Sequence, residues 1–132
     1  MTDTVVFPKV EAELVRVLGE RLPGLPVAAQ VRPQVIPESG CVLVLAVGGT
    51  GRTLALSQRL VQVFVWAGTA SAAAALIEQV VAAVVDAGRD PAEKRVRGVG
   101  VAGEPSFNPD PDSSMPRYSA TLILVVRGKP TG

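Results

Sequence analysis

Hydrophobic and charged positions alternate at helical spacing near the start of the chain. In residues 7–22 the apolar side chains recur every three or four positions, and charged side chains occupy the other positions. This pattern predicts a first amphipathic helix, with Pro8 in its first turn and Pro23-Gly24 as its stop. The charged residues of this helix are expected to form a solvated face held by i,i+4 ion pairs.

An alanine-rich segment in the middle of the chain predicts a second helix. It begins after Thr69 or Ser71, either of which can cap a helix with its hydroxyl group, and it runs to about Ala87. Gly88 is the expected stop, because glycine adopts the backbone conformation that ends helices. The packing stripe of this helix consists of Leu76, Val80, Val81, Val84 and Val85.

Runs of β-branched and apolar residues predict the strands. They cover residues 27–32, 41–47, 54–66, 95–103 and 118–127. The second and third of these runs form a β-hairpin whose tip is the glycine-rich segment 48–53. Both faces of the 54–66 run are apolar, which predicts a strand covered on both sides. A proline-rich loop, residues 104–117, separates the last two strands.

This order of elements predicts an α+β fold, with one small, mostly antiparallel sheet, a long β-hairpin and two helices packed on the sheet. A chain of 132 residues fits a single domain spanning residues 1–132, and residues 1–6 and 128–132 are expected to be flexible tails. Hydrophobic residues make up 48% of the chain, so the excess must lie in a core, a subunit interface or a membrane. The apolar runs are short or interrupted, and no secretory leader is recognisable, which predicts no membrane span and use inside a cell.

The net charge and the residue types present exclude several classes of function. The 13 basic and 12 acidic residues give a net charge of +1 and are spread along the chain, so no specific recognition of nucleic acid is expected. The chain has no histidine, which removes the commonest general acid–base group and metal ligand. The single cysteine, Cys41, lies in an apolar run and is expected to pack as a small hydrophobic residue. No catalytic constellation emerges, and the sequence predicts a protein that is not an enzyme and holds no cofactor or metal.

Two segments invite a ligand interpretation. The segment 48–53 resembles the second half of a phosphate-binding loop, but Arg52 replaces the lysine and a strand rather than a helix is expected to follow Thr53. A small-ligand or nucleotide-binding module using this turn is the alternative from another functional class. The alternating polar residues 108–114 resemble the start of a calcium loop, but they lack its glycine and its closing glutamate.

In addition, the chain resembles the tail terminator, or tail completion, proteins of long-tailed phages, particularly those that infect actinobacteria. Four motifs carry the resemblance, and their order matters more than any one of them. They are Phe7-Pro8-Lys9-Val10-Glu11 before a helix ending Arg21-Leu22-Pro23-Gly24, Val63-Phe64-Val65-Trp66-Ala67-Gly68-Thr69-Ala70, Asn108-Pro109-Asp110-Pro111-Asp112, and Pro116-Arg117-Tyr118-Ser119-Ala120-Thr121 before a strand ending Arg127-Gly128.

The resemblance implies a structural virion protein. Its subunits are expected to form a ring, typically a hexamer, that caps the tail tube at the head-proximal end and joins it to the head–tail connector protein. The expected partners are therefore copies of the chain itself, the tail tube protein and the connector, with assembly in the host cytoplasm. Another head–tail connector or adaptor subunit is the alternative within the same virion. The predicted contacts between chains lie in the hairpin and the proline-rich loop, at Gly49, Arg52, Arg59, Gln62, Phe107, Asp110, Asp112 and Arg117.

Overall fold

The computed structural model describes residues 4–53 and 56–131. Nine elements follow one another in this part of the chain: β1 (Thr4–Val6), α1 (Val10–Arg21), β2 (Val27–Ala29), β3 (Cys41–Arg52), β4 (Leu56–Trp66), α2 (Ala70–Arg89), β5 (Val96–Phe107), β6 (Arg117–Arg127) and β7 (Lys129–Thr131). The predicted order of helices and strands is thus confirmed, with an additional short strand at each end.

The main sheet has five strands in the order β2-β3-β4-β6-β5. Strand β2 is parallel to β3, and the other neighbours are antiparallel. Both helices pack on one face of this sheet and share one hydrophobic core with it. The chain therefore has the predicted α+β fold, with a mostly antiparallel sheet and two helices packed on it.

Helix α1 begins later than its pattern predicts. Val10 is its first residue and Lys9 its N-cap, so Pro8 precedes the helix instead of lying in its first turn. Leu14 and Leu18 are fully buried in the core. The charged face is not simply solvated, as was expected, because Glu11 and Glu13 are both buried and hydrogen-bonded.

Helix α2 starts where the cap predicts, since the Thr69 hydroxyl oxygen accepts a hydrogen bond of 3.1 Å from the backbone N–H of Ala72. It does not stop at Gly88 but continues to Arg89. A Cβ at Gly88 would lie 2.9 Å from the backbone nitrogen of Val99, so the glycine permits a close approach of helix and strand β5.

By length and composition, α2 is also the one helix within the described ranges that could cross a membrane. No such segment was expected from the sequence. In the fold its apolar stripe faces the sheet, and Ile77, Val80 and Val84 are buried there. This packing is that of the core helix of an α+β sheet.

Strand β2 is shorter than the predicted run 27–32. It ends at Ala29 because Gln30 has a φ of 69°, a left-handed conformation that interrupts an extended strand. Beyond this point the Glu11 carboxylate, and not β2, pairs with the edge of β3. It accepts hydrogen bonds from the Ala46 backbone N–H, at 3.1 Å, and from the Gln30 side-chain amide, at 3.0 Å.

The hairpin of β3 and β4 is longer than predicted. Strand β3 extends through the glycine-rich segment to Arg52, with bulges at the Ala46/Gly48 and Gly49/Gly51 steps. The glycines are therefore part of a bent strand and not the tip of the hairpin. The N–H of Thr53 donates a 2.7 Å hydrogen bond to the carbonyl of Leu56 where the two strands meet, and residues 54–55 lie outside the described part of the chain.

The two faces of the main sheet differ in their cover. On the helix side, Val61, Val63 and Val65 are fully buried. On the other side only one end is covered, where the loops 30–40 and 108–116 enclose Cys41, Leu43 and Trp66. The prediction that both faces of β4 are covered is therefore wrong for most of its length within a single subunit.

Part of the segments expected to be flexible tails is ordered. Strands β1 and β7 pair in an antiparallel ribbon, with Val6 opposite Lys129. Residues 1–3 and 132 lie outside the described residues.

Candidate functional site

A buried carboxylate organises the loop-covered end of the sheet. The Asp110 side chain is fully buried and accepts a 2.8 Å hydrogen bond from the indole N–H of Trp66. Arg32 forms a salt bridge with it at 2.6 Å, and the backbone N–H of Asp112 donates to it at 2.9 Å. These bonds tie the loop 108–116 to the loop 30–40 across the indole ring.

Arg117 fixes the other side of the same loop. Its Nε donates a 2.8 Å hydrogen bond to the backbone carbonyl of Asn108, and its guanidinium carbon lies 4.8 Å from the ring centroid of Phe64. The guanidinium group thus bridges the loop and the aromatic residues of β4. It supports the fold of its own subunit.

Strand β5 runs to Phe107 and β6 begins at Arg117, so the loop between them covers residues 108–116 and not the predicted 104–117. The predicted contact residues of this region separate into two groups. Asp110 is buried, and both Asp110 and Arg117 make hydrogen bonds inside the subunit. Phe107 is 53% exposed, and the Asp112 side chain is 78% exposed, so both are accessible. Sequence reasoning missed Trp66 and Arg32 as members of this network.

The spacing that suggested a calcium loop has another explanation. Asp110 accepts from the N–H two residues further on, which is an Asx turn, and Asn108 donates to the Ser119 hydroxyl at 3.1 Å. Within residues 4–53 and 56–131, no group of three histidine, cysteine, aspartate or glutamate side chains is arranged to hold a metal ion.

A second charged cluster joins α1 to the segment before β5. Arg16 contacts Glu13 and Glu93, each at 2.8 Å, and Arg95 contacts Glu13 at 2.9 Å. Burial opposes the charged form of Glu93, but the Arg16 hydrogen bond and the backbone N–H groups of Arg95 and Val96 hold the pKa of Glu93 below its ordinary value.

Because of these two carboxylates, Asp110 and Glu93, the free energy of unfolding depends on pH. Burial opposes the ionised form of Asp110 as well, but the Asp112 N–H, the Trp66 indole and the charges of Arg32 and Arg117 hold its pKa below the ordinary value. A carboxylate with a lowered folded pKa stabilises the fold above its unfolded pKa, and this stabilisation is lost as pH falls through the folded pKa. We expect the free energy of unfolding to be level near neutral pH and to fall below about pH 4. Urea unfolding measured from neutral pH to below about pH 4 tests this expectation. The Asp110→Asn variant should show a weaker dependence of the free energy of unfolding on pH.

The bent part of the hairpin forms a shallow surface depression. Gly49, Arg52 and Arg59 line it, together with Ala46, Gly48, Gly51, Ser57 and Gln58. The guanidinium carbon of Arg52 lies 4.6 Å from the ring centroid of Phe7, and that of Arg59 lies 5.9 Å from it. The structure thus brings three of the predicted contact residues together. The chain continues into strand β4 rather than a helix, so the dipole of a helix N-terminus is not available to a phosphate here.

Gln62 lies at the centre of the uncovered sheet face. Directly paired strand residues point to the same side of a sheet, so Leu45, Gln62 and Thr121 form one row, and Leu60 and Ile123 the next. All of these side chains are half-buried, as is Val125. We call the surface formed by Leu45, Leu60, Gln62, Thr121, Ile123 and Val125 the open face.

The predicted contact residues therefore occupy three separate places: the hairpin depression, the open face and the region of the 108–116 loop, where Asp110 is buried and Phe107 and Asp112 are exposed. The chain was compared with protein-family models and with curated proteins, and neither comparison found a match.

Proposed function

We propose that this protein is a structural ring subunit of a phage tail, a tail terminator that caps the tail tube and joins it to the head–tail connector. The observation that carries the proposal is the open face, an apolar surface that a subunit leaves uncovered in its own fold. Apolar sheet faces of this kind gain free energy when another chain covers them.

Three further features support a role in assembly. The net charge of +1 lets copies approach without strong mutual repulsion. The hairpin of β3 and β4 gives each subunit a long, bent arm that can reach a neighbour. The resemblance of the ordered sequence motifs to tail terminators selects this assembly among others, with a hexamer as the expected ring.

The ring is an arrangement of identical copies in which each open face is covered by the next subunit. Contacts of this heterologous kind close into a ring when the rotation between neighbours is a full turn divided by a whole number and no shift along the axis accompanies it. The open face and the hairpin depression lie on one subunit at separate places, so one can serve the ring and the other the tube or the connector. The protein acts by contact between chains and not by catalysis.

Electron microscopy and sedimentation velocity of the purified protein test this proposal. We expect closed rings, either in solution or on addition of tail tubes, and a label on the subunit at the head-proximal end of the tail. A label at another position would indicate a neighbouring connector or adaptor. A protein that neither forms rings nor binds tail tubes or connector proteins would refute the proposal.

A further inference from the structure

The fold concentrates positive charge at one end of the sheet. Strand β3 ends there, β4 and β5 begin there, and β6 ends there, as the pairing of Leu56 with Arg127 and of Arg52 with Ser57 shows. The backbone N–H of Arg127 donates to the carbonyl of Arg95, which places these two residues side by side. A charge distribution that is even along the sequence is therefore uneven in space.

Six cations form a continuous surface at this end, which we call the basic strip: Arg52, Arg59, Lys94, Arg95, Arg127 and Lys129. Lys94, Arg95, Arg127 and Lys129 line one surface depression together with Gly128. A Cβ at Gly128 would lie 3.1 Å from the Phe7 ring, and Arg52 and Arg59 lie over that ring. Phe7 and Gly128 thus connect the two groups of cations.

Five of these six cations form no ion pair among the described residues, although Glu93 lies beside Lys94 and Arg95 in one surface depression. Arg95 contacts Glu13, but among the described residues no carboxylate lies within ion-pair distance of Arg52, Arg59, Lys94, Arg127 or Lys129. Lys94, Arg127 and Lys129 are exposed to solvent. Cations held together without counter-charges repel one another, and an anionic partner removes that cost.

The chemistry of the strip favours a phosphate backbone over an acidic protein surface. Cores of protein–protein interfaces are depleted in charged residues, and in lysine especially, whereas surfaces that bind nucleic acid are polar and strongly positive. Arginine and lysine donors match phosphate oxygens. The aromatic side chain of the strip, Phe7, is covered by Arg52 and Arg59 and is not free to stack on bases.

We propose that the basic strip binds the phosphate backbone of double-stranded DNA without reading its sequence. This binding goes beyond the proposed ring function and does not require the ring. If four of the cations each neutralise one phosphate, the logarithm of the binding constant should fall with the logarithm of the salt concentration with a slope of about −4.

Fluorescence anisotropy with the full chain and short labelled duplexes of unrelated sequence tests the proposal. We expect similar affinities for all sequences and a loss of about two orders of magnitude between about 50 and 200 mM salt. The double variant Arg127→Gln/Lys129→Gln should bind more weakly, and its salt slope should be smaller in magnitude by about 2. Neither side chain forms an ion pair in the described part of the chain, so the variant is expected to fold, which circular dichroism checks.

The matched control is Ser71→Glu/Gln79→Glu, which lowers the net charge by the same amount at exposed positions of α2. It should leave the salt slope unchanged. Equal losses in both variants would overturn the proposal, as would the absence of duplex binding at low salt. Binding of polyglutamate but not of duplex would also overturn it and assign the strip to an acidic protein. Sedimentation without DNA measures ring formation separately, so failure of DNA binding is distinguishable from failure of the ring proposal.

Discussion

Replacing Asp110 by alanine should lower the free energy of unfolding by about 3 kcal/mol. The substitution leaves the indole N–H of the fully buried Trp66 without its acceptor and removes the carboxylate that faces Arg32. An unpaired buried donor is costly because it has lost water and gained no partner. Urea unfolding followed by tryptophan fluorescence measures this free energy. The signal comes from the affected site, because Trp66 is the single tryptophan of the chain.

Asp112→Ala is the matched control in the same loop. The Asp112 side chain is 78% exposed and contacts Arg32 at 3.3 Å, so its loss should change stability by no more than about 0.5 kcal/mol. Equal effects of the two substitutions would mean that the loop is held by its backbone and not by the buried carboxylate.

Replacing Gln62 by lysine should reduce the association of subunits more than a hundredfold while leaving the subunit folded. In the free subunit, the lysine stem can lie along Leu45 or Leu60 and its ammonium group can reach water. Once another chain covers the open face, that ammonium group is buried without a partner, at a cost of several kcal/mol. Each 1.4 kcal/mol corresponds to about a factor of ten in the association constant.

The control is Gln79→Lys, which makes the same chemical change at an exposed position of α2. Sedimentation equilibrium of both variants gives the association constants, and their unfolding curves should coincide within about 0.5 kcal/mol. If Gln62→Lys associates as well as Gln79→Lys, the open face is not the contact between copies, and the hairpin arm becomes the surface to test.

Local signals predicted much of the fold. The Thr69 hydroxyl cap and the order of strands depend on neighbours in sequence, and the structure reproduces them. Of the predicted stripe of α2, Val80, Val81 and Val84 are buried, whereas Leu76 and Val85 are only partly buried. The ends of elements were less predictable. Glycine is a common helix stop, but Gly88 lies within α2, where its lack of a Cβ lets Val99, which is distant in sequence, approach the helix.

The structure of the glycine-rich segment also could not be predicted from its local sequence. Glycines in sequence indicate a turn, yet Gly48, Gly49 and Gly51 lie in a bulged strand because β4 continues to pair with it. The Asp110 network could not be predicted either, since Trp66 and Arg32 are separated from the aspartate by 44 and 78 residues. The basic strip is likewise a product of strand pairing, and an even spread of charge along the chain conceals it.

Helix α2 has a further consequence for how the chain is made. Its buried face packs mainly on β5 and β6, and both strands are synthesised after it. While the ribosome adds residues 90–127, the nascent chain carries a 20-residue apolar helix without the strands that will cover it. During that interval the apolar face of the helix is uncovered, which is the kind of surface that makes incompletely folded chains prone to aggregate and that chaperones bind. A chain that ends before β6 lacks a strand that covers this face, so we expect it to aggregate instead of forming a weakened subunit.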